Sequence, residues 1–250
     1  MASNQRVAVV TGSSSGIGHE TSLTLARNGV QTYATMRNLD KDENIKSLAE
    51  KEKLPLKTVQ LDVTDGISVK NAMQSITAEA NRIDVLVNNA GYAVVGAFED
   101  CSMEEIKAQY ETNLFGVIRV TQAVLPIMRK QKSGIIVNIS SVAGRFGFSV
   151  LSAYSSTKFA VEGLSESMAY ELEPFGIKVV LVEPGFIRTN IVNSTVVAKK
   201  SQDTNSPYSQ LMQNMTTSFE HLMEAGSPPD VVAKVVLKRS EERRVGKECA

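Results

Sequence analysis

The stretch Val-Ala-Val-Val-Thr-Gly-Ser-Ser-Ser-Gly-Ile-Gly at residues 7–18 decides the fold. The apolar run Val7–Val10 is typical of a short buried strand, and Ile17–Asn28 continues with helical spacing. Glycines between a strand and a helix allow a tight turn whose backbone N–H groups approach a pyrophosphate at the positive end of the helix. The stretch therefore predicts a phosphate-binding turn, with candidate contacts at Gly12, Ser14, Ser15, Gly16, Ile17 and Gly18.

The rest of the chain alternates short strand-like runs with longer helical segments. Further β-branched apolar runs lie at Thr32–Thr35, Thr58–Leu61, Val85–Val87, Ile135–Ile139 and Val179–Val182. Helical spacing occurs at Leu39–Lys51, Ile67–Ala80, Met103–Arg129 and Ala153–Glu173. Strands so uniformly apolar are buried on both faces. The pattern predicts an α/β fold: a Rossmann-type, doubly wound parallel sheet with helices on both faces, in a single domain.

Composition excludes several classes of protein. The chain has 250 residues, 42% of them hydrophobic, and 27 basic residues balance 27 acidic ones. A nucleic-acid binder that relies on phosphate contacts is usually basic, so no nucleic-acid partner is expected. No stretch reaches the length of about 18 apolar residues that suggests a membrane helix. With two cysteines and two histidines, neither a disulfide framework nor a metal site is expected, and we predict a cytoplasmic protein.

The end of the second predicted strand bears on the choice of cofactor. Residues 33–37 read Tyr-Ala-Thr-Met-Arg, without the Asp or Glu that would accept hydrogen bonds from an unmodified adenosine ribose. Arg37 stands there instead, and a guanidinium suits a 2′-phosphate. The sequence therefore favours NADP(H) over NAD(H), although a solvated arginine at a strand end would look the same.

Four residues form the candidate catalytic group. Tyr154 and Lys158 stand four apart in a helical segment, so their side chains share one face. An adjacent ammonium favours the ionised phenol, so we expect Lys158 to lower the Tyr154 pKa. Ser141 follows the predicted fifth strand, and Asn113 is placed at the start of a helix, Asn113–Arg129.

Taken together, these motifs resemble those of the short-chain dehydrogenase/reductase family over residues 6 to about 238. The resemblance implies that Asn113, Ser141, Tyr154 and Lys158 form the catalytic set. It also implies cofactor contacts at Gly12, Ser14, Ser15, Gly16, Ile17, Gly18, Arg37, Asp62, Val63, Asn89, Ala90, Gly91, Tyr154, Lys158, Pro184, Gly185 and Thr189. Tyr154 would transfer the proton, Ser141 would hold the substrate oxygen, and Lys158 would bind the nicotinamide ribose. Asn113 would position a water molecule linking Lys158 to solvent.

The resemblance implies an oxidoreductase that interconverts a carbonyl and a secondary alcohol. A lipophilic substrate is favoured by apolar residues of the flap and near the site, although such a stripe is more often the packed face of a helix: Met212, Met215, Phe219, Leu222, Met223, Phe146, Phe148, Val150 and Leu151. Residues 33–37 and 141–144 are similar to the branch of the family that acts on steroids, retinoids and other lipophilic alcohols and ketones. Two alternatives remain open: a 3-oxoacyl-thioester reductase, and a dinucleotide-binding sensor or scaffold without catalysis. A homodimer or homotetramer through Val117–Met128 and Phe159–Met168 is expected.

Two segments near the C-terminus need separate interpretation. Residues 190–229 are rich in Ser, Thr, Asn, Gln and Met, which favours a mobile flap over the site. Residues 239–250 lack a hydrophobic period and match the in-frame translation of a sequencing adapter, so we interpret them as an artefactual tail. The family's last strand would then be missing, which would leave the strand Val179–Val182 as an open edge.

Overall fold

A computed structural model describes residues 5–189, 195–241 and 248–249. The strands are β1 (Val7–Val10), β2 (Gln31–Met36), β3 (Leu56–Gln60), β4 (Val85–Asn88), β5 (Ala93–Val95), β6 (Gly134–Ile139), β7 (Ile177–Glu183), β8 (Thr195–Val197) and β9 (Glu248–Cys249). The α-helices are α1 (Gly16–Arg27), α2 (Glu43–Glu52), α3 (Gly66–Ala80), α4 (Met103–Tyr110), α5 (Gly116–Gln131), α6 (Ser152–Leu172), α7 (Ser209–Glu224) and α8 (Pro229–Glu241).

A parallel sheet forms the centre of the protein. Among the described residues it has seven strands in the order β3-β2-β1-β4-β6-β7-β9. Successive residues of β1 point to opposite faces: Val9 joins the core with α3 and α5, and Val10 joins the core with α1 and α8. Both faces of the sheet are thus covered by helices, which confirms the predicted fold class.

The order of the strands reverses between β1 and β4. The register pairs Val10 with Val87, so the two strands end side by side. In open α/β sheets, the crevice beyond the carboxyl ends at such a point is where ligands bind. The turns after these two strands therefore mark the expected location of the site.

One predicted helix differs from the structure. The segment Met103–Arg129 was expected to be continuous, with a helix beginning at Asn113, but a π-helical turn at Glu111–Phe115 separates α4 from α5. Asn113 lies inside that turn and is not a helix N-cap. A π turn takes one extra residue without changing the hydrophobic pattern, so the sequence does not reveal it.

The expectation that β7 would be left as an open edge was wrong where its strand ends. The two residues of β9, which lie within the predicted tail, pair in parallel with Val182 and Glu183 of β7. An edge strand presents unpaired backbone groups, and any extended segment that reaches it can pair with them. Helix α8 also continues to Glu241, beyond the predicted boundary at residue 238.

The predicted flap contains more regular structure than its polar composition suggested. Its described part holds β8, a 3-10 turn at Lys200–Gln202 and α7, and β8 pairs with β5 in a second, two-stranded parallel sheet. Residues 190–194 of the predicted flap lie outside the described residues. No helix in the described part of the chain is long and apolar enough to cross a membrane.

Candidate active site

The glycine turn has a conformation that side chains would disturb. Gly12 and Gly16 have φ angles of +69° and +59°, in the left-handed region that favours glycine. A Cβ on Gly12 would stand 2.8 Å from the Cα of Ala90, and one on Gly18 would stand 2.4 Å from Nδ2 of Asn89. The turn after β1 therefore lies directly against the turn after β4.

Hydrogen bonds fix this contact between the two turns. The Thr11 hydroxyl accepts from the backbone N–H groups of Asn89 and Ala90 at 3.0 and 3.1 Å. The Asn89 side chain donates to the carbonyl oxygens of Thr11 and Gly12 at 2.9 and 3.1 Å. Asn89 therefore acts as a brace for the glycine turn. Thr11, which was not among the predicted site residues, holds the turn after β4 through its hydroxyl.

The first turn of α1 suits an anionic group. It carries no acidic residue, and the side chain of Ser15 at the N-cap does not bond to it. Its N–H groups and the helix dipole therefore face the turn without a competing carboxylate. The residues present fit the pyrophosphate of a dinucleotide.

The turn after β2 presents two cations. Arg37 is exposed at the end of β2, and Lys41 lies in the following 3-10 turn, Leu39–Lys41. Both side chains line the same cavity as the glycine turn. Lys41 was missed in the sequence because its exposed position carries no periodic or motif signal. Next to them, Asp62 accepts from the N–H and hydroxyl of Thr64 at 2.9 and 2.7 Å, which holds the turn after β3.

Ser141 and Tyr154 line the same cavity, and the Ser141 hydroxyl lowers the pKa of the Tyr154 phenol. Ser141 follows β6 at the N-cap of the 3-10 turn Val142–Gly144, where its Oγ accepts from the N–H of Ala143 at 3.1 Å. Lys158 lies one helical turn further along α6, with Nζ 5.7 Å from the centre of the Tyr154 ring.

The pKa of Tyr154 does not follow the expectation. Burial raises its pKa above the ordinary value, and the Ser141 hydroxyl lowers it only in part. The buried Nζ of Lys158 donates to the carbonyl oxygen of Ile139 at 2.8 Å. Burial lowers the pKa of Lys158 to about 8, against the opposing effect of the Glu162 carboxylate. The phenol is therefore protonated at neutral pH.

Asn113 lies behind the catalytic residues and does not line the cavity. Its side chain accepts from the N–H of Tyr92 at 3.0 Å and donates to the carbonyl oxygen of Tyr92 at 2.9 Å. Its amide also donates to the hydroxyl of Thr157 on α6 at 3.2 Å. The π turn thus places Asn113 between the turn after β4 and the helix that carries Tyr154.

The segment after β7 closes the site from the other side. The carbonyl oxygen of Pro184 accepts from the N–H of Val142 at 3.0 Å, next to Ser141. A Cβ on Gly16 would lie 3.3 Å from Cβ of Thr189, so this segment approaches the glycine turn. Pro184, Gly185 and Thr189 consequently lie between the phosphate-binding turn and the catalytic residues.

One cavity of about 1430 Å³ connects these features. Every predicted site residue except Asn113 and Gly18 lines it. One wall is apolar and consists of Phe148, Val150, Leu151, Phe186, Met212, Met215 and Phe219. Phe186 and Phe219 pack edge-to-face, with ring centres 5.7 Å apart.

Three members of the predicted apolar set do not belong to this wall. Phe146 is 68% exposed, and Leu222 is 43% exposed, and neither lines the cavity. The side chain of Met223 lies outside the described residues. Val150 carries a separate feature: its φ of +58° is strained for a β-branched residue, and it immediately precedes Leu151 and α6.

Cys101 and possible metal ligands are the other candidate reactive groups in the described part of the chain. Cys101 is partly buried, and burial raises the pKa of its thiol, as expected for a small apolar residue. Within residues 5–189, 195–241 and 248–249, no group of three or more His, Cys, Asp or Glu side chains could hold a metal ion.

Comparisons with curated proteins place these features in context. An uncharacterized oxidoreductase of Bacillus subtilis is 38% identical over 245 residues, 97% of this chain and 87% of that protein. A 3-ketodihydrosphingosine reductase of Bacteroides thetaiotaomicron is 41% identical over 194 residues, 78% of this chain and 68% of that protein. Retinol dehydrogenase 8 of Bos taurus is 37% identical over 249 residues, 95% of this chain and 78% of that protein.

Solved structures show the same architecture. A short-chain dehydrogenase from Streptomyces avermitilis has a TM-score of 0.86 and 34% identity, and the match covers 98% of this chain and 88% of that one. An alcohol dehydrogenase from Thermococcus sibiricus, complexed with 5-hydroxy-NADP, has a TM-score of 0.80 and 25% identity, over 99% of this chain and 96% of that one. A family model for short chain dehydrogenase matches residues 6–200. The chain therefore belongs to the short-chain dehydrogenase family of oxidoreductases that use a nicotinamide dinucleotide.

Proposed function

We propose that this protein is an NADP(H)-dependent oxidoreductase that interconverts a carbonyl and a secondary alcohol, with Tyr154 as the general acid and base. The observation that carries the proposal is that Ser141, Tyr154 and Lys158 line the same cavity as the glycine turn. A binding protein without catalysis would need the turn but would have no use for this hydroxyl and phenol. Bound NADP(H) would supply or accept the hydride.

The preference for NADP(H) over NAD(H) rests on charge at the end of β2. Arg37 and Lys41 line the cavity there, and no carboxylate among residues 33–37 is available to bind the ribose hydroxyls of NAD(H). Two cations beside one cavity wall favour a 2′-phosphate. The relative from Thermococcus sibiricus, solved with an NADP derivative, is consistent with this preference.

Each catalytic residue has a separate role. Tyr154 donates its proton to the carbonyl oxygen during reduction and takes the alcohol proton during oxidation. Ser141 holds that oxygen by hydrogen bonding. Lys158 binds the nicotinamide ribose and places a positive charge beside the phenol. Asn113 joins α6 to the turn after β4 and so keeps Thr157, and hence Tyr154, in place. In the proposed mechanism it would also position a water molecule that links Lys158 to solvent.

The apolar wall favours a lipophilic substrate. Phe148, Leu151, Met212 and Phe219 surround the approach to Tyr154, and methionines adapt to varied apolar shapes. Two of the relatives are named for lipid substrates, retinol and 3-ketodihydrosphingosine, which supports this choice of substrate class.

Other parts of the assignment remain predictions. They are a single domain over residues 1–238, a covering flap at residues 190–229, an artefactual tail at residues 239–250 and a cytoplasmic location. A homodimer or homotetramer through α5 and α6 is supported by Phe115 and Phe159, which are 47% and 48% exposed beside those helices.

A turnover assay tests the proposed function. Purified protein is mixed with NADPH or NADH and a panel of long-chain ketones, retinoid aldehydes, steroids, short ketones and 3-oxoacyl thioesters, and absorbance of the reduced nicotinamide is followed. We expect turnover of lipophilic carbonyls with a higher kcat/KM for NADPH. Turnover confined to 3-oxoacyl thioesters would show that these, and not lipophilic ketones or aldehydes, are the substrate class. Cofactor binding without turnover on any compound would contradict the proposal.

A further inference from the structure

A cluster of charged side chains lies behind the catalytic residues. Glu162 is one helical turn after Lys158 on α6, and Glu183 is the last residue of β7. Their side chains are only 7% and 2% exposed. Arg145 lies between them, with one guanidinium nitrogen 3.7 Å from Glu162 and another 3.7 Å from Glu183. Buried carboxylates are stable only where cations or hydrogen bonds compensate them.

The cluster joins the three segments that form the catalytic site. Arg145 directly follows the turn that begins at Ser141, Glu162 belongs to the helix of Tyr154 and Lys158, and Glu183 precedes Pro184. The ion pairs therefore fix the positions of these segments relative to one another. They act on the distance between Ser141 and Tyr154 without touching either residue.

Close packing supports the same conclusion. A Cβ on Gly144 would lie 3.0 Å from Cγ of Glu162 and 2.8 Å from Oγ of Ser140. The turn after Ser141 is thus pressed against α6 at the point where Glu162 emerges. Any movement of Glu162 would be transmitted to this turn, because no gap separates them.

The charges of this cluster also affect the protonation of Lys158. Its ammonium is buried, so it depends on nearby negative charge to stay protonated. Among the described residues, α6 contributes Tyr154 and Glu162 to this region, the adjoining turn contributes Arg145, and β7 contributes Glu183. Strand β6 contributes the carbonyl of Ile139 and the π turn the amide of Asn113, neither of which titrates.

We propose that Arg145, Glu162 and Glu183 are positioning residues that hold the Ser141 turn against α6, and that Glu162 also keeps Lys158 charged in its buried site. The inference rests on the proposed roles of Ser141, Tyr154 and Lys158. The proposal gives Glu162 of α6 and Glu183 at the end of β7 a supporting part in the reaction. Neither Glu162 nor Glu183 would contact the substrate or the cofactor.

The electrostatic part is tested by Glu162→Gln, which keeps the shape and removes the charge. The Lys158 pKa is measured in the cofactor-free protein by NMR of ¹³C-labelled lysine, with Lys158→Arg for assignment. We expect the pKa to fall by about one unit, and the high-pH limb of kcat/KM for reduction to move down equally. The control is Glu171→Gln, an exposed carboxylate on the same helix, which should leave both unchanged. An unchanged Lys158 pKa in folded Glu162→Gln would overturn this part.

The positioning part is tested by Arg145→Met and Arg145→Lys. We expect Arg145→Met to lower kcat about tenfold with little change in KM for NADPH, and Arg145→Lys to recover most of the loss, because a lysine can still pair with one carboxylate. Arg129→Met, an exposed arginine in the last turn of α5, is the matched control. Equal losses in the Met and Lys variants, or a loss in KM alone, would overturn the positioning role. The two Arg145 variants still test the positioning role if Glu162→Gln fails to fold.

The two proposals can fail separately. If the protein reduces no carbonyl but the Lys158 pKa still falls in Glu162→Gln, the proposed function is wrong and the electrostatic coupling stands. If turnover is normal and the Lys158 pKa does not respond, the further inference is wrong and the proposed function stands.

Discussion

Replacement of Gly18 by alanine tests the contact between the glycine turn and the turn after β4. The new Cβ would stand 2.4 Å from both Nδ2 of Asn89 and the carbonyl oxygen of Gly12, well inside the 3.0 Å that real Cβ contacts respect. Asn89 must therefore withdraw and give up its two hydrogen bonds to Thr11 and Gly12, at about 1 kcal/mol each. Alanine gains about 1 kcal/mol over glycine within a helix, which offsets half of that cost.

The expected net result for Gly18→Ala is a free energy of unfolding lower by at least about 1 kcal/mol, because the backbone of Gly12 must move as well, with NADPH affinity at least about tenfold weaker because the turn is displaced. Urea unfolding and titration of NADPH fluorescence measure the two quantities. Gly163→Ala is the matched control: this exposed position on α6 has no atom within 4 Å of the new Cβ. It should raise stability by about 1 kcal/mol and leave affinity unchanged. If Gly18→Ala behaved like Gly163→Ala, the reasoning would be refuted.

Three further predictions concern charge and burial. In the proposed mechanism, reduction requires protonated Lys158, whose pKa is about 8. The value of kcat/KM for reduction should therefore be constant at lower pH and decline above pH 8. A profile that stays flat to pH 10 would contradict this. Arg37→Met should weaken NADPH binding about tenfold in a fluorescence titration and leave NADH binding unchanged, whereas equal effects on both cofactors would exclude a 2′-phosphate contact. Asn138→Ala should lower the free energy of unfolding by about 2 to 3 kcal/mol in urea, since buried Asn138 bonds to Asn88 and Ser165 at 2.8 Å; a loss below about 1 kcal/mol would show that the network is not needed.

Much of the fold follows from local sequence patterns. The six runs predicted as strands all form strands of the central sheet. Five of them are buried on both faces, as continuous β-branched runs suggest, whereas β3 at the edge of the sheet is only partly buried. The glycine turn also follows from sequence, since Gly12 and Gly16 adopt left-handed angles that few other residues tolerate. The strands and the glycine turn are determined by residues that are close together in the sequence.

Features that depend on distant parts of the chain were not predicted. The π turn around Asn113 is fixed by hydrogen bonds to Tyr92 and Thr157, which are 21 and 44 residues away. Strand β9 forms because β7 offers a free edge, which no pattern at Glu248–Cys249 reveals.

The pKa of Tyr154 was predicted in the wrong direction for a similar reason. Helical spacing places Lys158 on the same face of α6, but spacing does not show how deeply a side chain is buried or where its Nζ points. In the folded protein, desolvation dominates, and Ile139 receives the lysine hydrogen bond. The charged cluster of Arg145, Glu162 and Glu183 is likewise assembled from three separate segments.

The most direct test of proton transfer by Tyr154 is the rate of carbonyl reduction by Tyr154→Phe, measured at saturating NADPH beside the wild type. Tyr170→Phe, an 80% exposed tyrosine on the same helix, is the matched control. We predict that kcat falls at least about 100-fold in Tyr154→Phe, with NADPH affinity within about twofold of the wild type, and that Tyr170→Phe is unaffected. A Tyr154→Phe variant that binds NADPH normally and retains its kcat would contradict the account.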